Sequence, residues 1–132
     1  MKNIVRVLVF FLLCGVGRNV SAQNKAEIKF EKTTHNFGQL PSEKPVATCV
    51  FVFKNTGDAP LIVNQAMASC GCTVPSFTKK PVAPGDTGSV KITYNGRGVS
   101  GHFRKVITVR TNAKETMTRL IIEGDVVKKK EE

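Results

Sequence analysis

Tryptophan is absent from this chain of 132 residues, tyrosine occurs once, histidine twice, and the 10 acidic residues are outnumbered by 20 lysines and arginines. Each shortage excludes something. Without tryptophan, the Cys…Trp…Cys spacing of a true antibody domain does not arise. One tyrosine and scattered phenylalanines leave no basic-aromatic platform on which nucleic acid bases would stack, despite a pI near 9.8. His35 and His102 stand at no recognisable ligand spacing, which argues against a four-ligand zinc site. His-Glu-x-x-His and Gly-x-Ser-x-Gly are missing, and no paired carboxylates are placed near a histidine. Glu27 and Glu31 do share one face of an extended segment, but Lys29 lies between them and marks that face as solvated. The chain is therefore read as a non-enzyme.

Long apolar runs are scarce too. The strongest, residues 7–16, follows Lys2 and Arg6 and precedes Val20-Ser21-Ala22. It is well short of the roughly 20 residues a membrane-spanning helix needs, and its flanks match a secretory signal cleaved after Ala22. Residues 1–22 are accordingly read as a signal peptide, 23–127 as one folded domain and 128–132 as a charged flexible tail. No transmembrane segment is expected after cleavage. "LLCG" around Cys14 loosely matches a lipoprotein box, yet that box wants a small residue where Leu13 stands. Export to the periplasm is the expectation, with extracellular release or lipid anchoring as alternatives.

After cleavage, 17 basic and 10 acidic residues remain, a net charge of +7, with three cysteines: Cys49, Cys70 and Cys72. The charge favours contact with anionic surfaces of the envelope, such as lipid headgroups or acidic polymers. Export puts the thiols where disulfides persist, and an odd number leaves at least one cysteine free or paired with another molecule.

Strand periodicity runs throughout. Ile28 and Phe30 alternate with charged neighbours, and Val90, Ile92 and Tyr94 alternate with Ser89, Lys91, Thr93 and Asn95. "CVFVFKN" (49–55) is apolar on both faces, as a central strand often is; "LIVNQAM" (61–67), "KVITVRT" (105–111) and "TRLIIEGDV" (118–126) are each bounded by Gly, Pro or Asn. No long segment has a helical period. The pattern predicts an all-β, immunoglobulin-like antiparallel sandwich of about seven strands. Gly57 and Gly85 read as turn residues tolerant of positive φ, with Pro60 and Pro84 stiffening the connections. "NGRGVSG" (95–101) invites a phosphate-loop reading, but strands flank it where such a loop needs a helix start.

Cys49 shares parity with Phe51 and Phe53, which makes it the expected buried free thiol. Cys70 and Cys72 are two apart, so an extended backbone projects both sulfurs to one side. Three readings compete. A kink at Gly71 would bring the Cα atoms within disulfide range, and the pair then serves as a staple or, if readily reduced, as an exchange site. As thiolates the two would suit a soft ion such as copper, with Met67 nearby in sequence as a thioether donor.

"FVFKNTGDAPLIV" (51–63), "SCGCTVP" (69–75) and "PVAPGDTGSVKITYNGRGVSGHFRKVITVRTN" (81–112), in that order, resemble the bacterial family catalogued as domain of unknown function 1573, including its Ser-Cys-Gly-Cys-Thr signature. That family is distantly similar to the immunoglobulin-like domains of major sperm protein, pilus chaperones and ciliary modules. The resemblance implies a module that binds or assembles with another protein and does not catalyse. The rival expectation is a periplasmic thiol protein acting through Cys70 and Cys72, by copper binding or disulfide exchange.

Overall fold

The structure is a computed structural model and describes residues 24–128; the predicted signal peptide, Cys14 and most of the charged tail lie outside the described residues. Eight strands follow one another: β1 (Ile28–Phe30), β2 (Thr34–Pro41), β3 (Val46–Asn55), β4 (Val63–Ala68), β5 (Thr73–Phe77), β6 (Thr87–Asn95), β7 (Gly101–Thr111) and β8 (Met117–Val127). They form two four-stranded sheets, β1-β3-β6-β5 and β2-β8-β7-β4. This is the predicted immunoglobulin-like sandwich, with no helix among the described residues.

Period-two alternation builds the core. β3 turns Cys49, Phe51 and Phe53 inward, β6 turns Val90, Ile92 and Tyr94, and β7 and β8 answer with Ile107, Val109, Leu120 and Ile122. Tyr94 stacks on Phe103 across the sheets, with ring centroids 4.0 Å apart. Each such side chain contributes roughly 1.5–3 kcal/mol through removal from water. Burial pushes the Tyr94 hydroxyl above its ordinary pKa.

Three features depart from the sequence expectation. β2 and β5 were not anticipated, because Gly38 and Pro41 interrupt one and Pro75 the other. In β2 the register slips between Asn36 and Gln39, where Gly38 takes a φ of 70° and donates to Asn36 Oδ1 at 2.7 Å. β2 also runs parallel to β8, so the second sheet is mixed, not wholly antiparallel. Finally, β3 is apolar on both faces yet covered on one: Val46 is 44% exposed and Val50 48%.

At one end of the sandwich Asn55, fully buried, ties three segments together. Its amide donates to the carbonyls of Ala59 (2.8 Å) and Val82 (2.9 Å), and its oxygen accepts from Gly57 N (3.0 Å) and Glu27 N (3.4 Å). Gly57 is needed here for proximity and not for positive φ, since a Cβ would strike the backbone of Lys25, Ala26 and Glu27. Gly85, by contrast, does adopt a φ of 85°.

Candidate functional site

The segment 69–72 carries the chain from β4, an edge of one sheet, to β5, an edge of the other. Backbone bonds hold it at three points: Ser69 N donates to Val106 O (3.0 Å), Thr73 N to Cys70 O (3.3 Å) and Asn95 N to Cys72 O (2.8 Å). Within this turn Cys70 and Cys72 are joined by a disulfide, with Cα atoms 5.4 Å apart. Two fully extended residues would span roughly 6.6 Å, so the turn contracts the backbone into bonding range. The Thr73 hydroxyl, itself buried, lies 3.9 Å from one sulfur and 3.7 Å from the other. Cys72 packs on the core, while Gly71 is exposed, has no positive φ and would admit a Cβ into open space. The glycine is thus not sterically required for the bridge.

Oxidised, the two sulfurs offer no thiolate; copper binding belongs to the reduced pair. Met67 lies in the edge strand β4 opposite Thr108 and is exposed. Cys49 is a free thiol, 7% exposed, held opposite Ile92 on the inner face, and burial raises its pKa to about 11. At that value it stays protonated and unreactive near neutrality. His102 Nδ1 lies 3.3 Å from Asp125 Oδ1 on the outer face of β7 and β8. His35 sits elsewhere, with Nδ1 3.3 Å from Lys32 Nζ; burial first, and the Lys32 charge second, lower its pKa. Among the described residues no three His, Cys, Asp or Glu side chains converge on one point.

The outer face of the β1-β3-β6-β5 sheet escaped the sequence reading. Register sets Thr48, Thr93 and Val74 in one row and Val50, Lys91 and Ser76 in the next. With Val46, the valines and threonines of these rows form a patch of β-branched residues in which Val50 and Val74 are 48% and 61% exposed. Lys29 and Lys54 stand directly opposite each other beside it. The signal was present in the double-sided apolarity of residues 49–53, but a sequence does not say which face is covered.

Sheet order and closed core define an immunoglobulin-like sandwich, and structural neighbours share that fold. A Porphyromonas gingivalis protein of unknown function superposes with a TM-score of 0.68 at 14% identity, covering 83% of this chain and 51% of that one. This chain thus spans about half the length of that protein. The ASH / PapD-like domain 7 of human CEP192 gives 0.63 at 10% identity, covering 80% and 89%. The YadV chaperone gives 0.52 at 16%, covering 76% and 52%. Parts of the secreted serine protease VesC and of the VesB protease, both from Vibrio cholerae, 23% and 32% of their chains, share the same fold. No curated protein matches the sequence. The family profile described as "Protein of unknown function (DUF1573)" matches residues 28–126, and the chain belongs to that family.

Proposed function

We propose that this is an exported, non-catalytic module of the bacterial cell envelope, resident in the periplasm, that works by binding or assembling with another protein. The observation that carries the reading is the exposed Val46, Val50 and Val74 patch on one sheet face, bordered by lysines. Large apolar residues gathered on an open face are typical of interaction surfaces. The neighbouring PapD-like and chaperone folds fit such a role. Purification of the mature chain from periplasm should recover a protein partner in stoichiometric amount. Recovery of the chain alone, together with turnover of a substrate by the purified protein, would overturn the reading. Cell fractionation tests the compartment: membrane association lost in Cys14→Ser would replace free periplasmic residence with a lipid anchor.

A second reading, disulfide exchange or copper binding through Cys70 and Cys72, is supported by the position of both half-buried residues in a loop between two edge strands. It requires reduction under mild conditions. Native mass spectrometry of the reduced chain would show a copper increment that Cys70→Ser abolishes; a chain reduced only after denaturation would leave the disulfide as a staple.

A further inference from the structure

The two outer edges of the β1-β3-β6-β5 sheet differ in what they offer a partner strand. Asn95 N donates to Cys72 O and Thr78 N to Ser89 O, so residues 72, 74, 76 and 78 turn their backbone groups toward β6. Thr73, Pro75 and Phe77 therefore face the free edge. Thr73 N is already taken by Cys70 O, and Pro75 has no N–H. That edge is guarded against strand addition.

The opposite edge is open. By the same alternation Cys49 and Phe51 pair with β6, and Val46, Thr48, Val50 and Val52 present their backbone groups to the far side. Val52 O accepts from Glu31 N at 3.0 Å, as this parity requires. β1 covers residues 53–55, after which the chain leaves for the other sheet as β2. Val46, Thr48 and Val50 are left with no backbone partner on that side among the described residues. The vacancy spans about five residues, roughly 17 Å, the length of an ordinary strand.

Charge defines the occupant. Lys29, Lys32, Lys44, Lys54 and Lys91 lie on β1, its link to β2, the turn before β3, β3 and β6, against Glu31 and Glu43 in the same segments. Lys29 and Lys54 are direct cross-strand partners of like charge, an unfavourable pairing. Lys29 and Lys54 line a cleft with Glu31, Phe30 and Val52, yet among the described residues no lysine or arginine is ion-paired with a carboxylate. A carboxylate between Lys29 and Lys54 would relieve their repulsion.

We propose that the open edge of β3 at Val46, Thr48 and Val50 takes an extended segment of a partner protein, continuing β1 and carrying carboxylates toward Lys29 and Lys54. This rests on the protein-binding reading and names its site and chemistry. Backbone pairing supplies the docking geometry, and the exposed valines and lysines select the side chains. A second copy of this chain would bring an equally basic border to the same edge.

The test places a photo-crosslinking phenylalanine derivative at Thr48, and separately at Arg119 on the other sheet, in the full chain within cells that produce it. The expected result is an adduct at Thr48 with a different protein, whose crosslinked peptide, read by mass spectrometry, alternates acidic and apolar residues. Val50→Pro removes an N–H that faces outward and not toward β6, and should lower adduct yield about tenfold. Lys29→Glu with Lys54→Glu should lower it comparably and carries the test if Val50→Pro fails to fold. Slow exchange of the Cys49 and Phe51 amides reports folding in both variants. An adduct at Thr48 indifferent to these changes in folded protein, an adduct of two copies of this chain, or an adduct at Arg119 alone each overturns the edge proposal while protein binding stands. No protein adduct at either position overturns both.

Discussion

At Asn55 four hydrogen bonds converge on one side chain, and two backbone donors, Gly57 N and Glu27 N, depend on its oxygen. Asn55→Ala orphans these groups in a buried setting, and a loss of about 3 kcal/mol in urea unfolding is expected. The two glycines most prominent in the sequence should respond oppositely. Gly57→Ala drives a Cβ into the Lys25 and Glu27 backbone and should cost about 2 kcal/mol or more, whereas Gly71→Ala meets open space and should stay within about 0.5 kcal/mol. His35 supplies a pH signature. Its folded pKa lies below the ordinary 6.5, so the unfolded chain binds its proton more readily; the contribution is present above 6.5 and is lost as pH falls below it. The thermal midpoint should fall on acidification through this window, and fall less in His35→Gln.

At the scale of elements, the Cys70–Cys72 bridge closes a loop with a sequence separation of 2, so little chain entropy is removed from the unfolded state. A loop of about three residues is worth roughly 1.6 kcal/mol by the chain-entropy relation. Cys70→Ser should therefore leave a folded protein destabilised by about that much. Global unfolding of this variant would show that the crossover from β4 to β5 depends on the bridge far beyond its entropy. β3 has its own expected signature. The Thr48 and Val50 amides, facing the open edge, should exchange with deuterium far faster than those of Cys49 and Phe51, which face β6.

Across the whole molecule, the folded domain carries its basic excess without compensation. Among the described residues the single contact of salt-bridge length is His102 with Asp125, and no lysine or arginine reaches a carboxylate. Like charges held this close oppose compaction, and salt screens them. Raising sodium chloride from about 0.02 M to about 0.3 M should lift the thermal midpoint by a few degrees; a fall would show that the basic excess does not oppose folding.

Alternation of apolar and polar residues determined the sandwich. With a period of two, Phe51, Phe53, Val90, Ile92 and Tyr94 have one arrangement that hides them together, and that pattern is written along the chain. The parity of Cys49 and the proximity of Cys70 to Cys72 are equally local, so the residues of the candidate loop were legible. The tertiary structure decided what depends on neighbours distant in sequence. β2 pairs in parallel with β8, as in Thr34 with Ile121 and Pro41 with Val127, a pairing between distant parts of the chain that no local period encodes. Gly57 is fixed by the approach of Lys25, not by its own φ. Which face of β3 stays open, and which edge lacks a partner, follows from where β1 ends and β2 crosses to the other sheet. Sequence sets which side chains must leave water; the route of the chain sets which backbone groups remain unpaired.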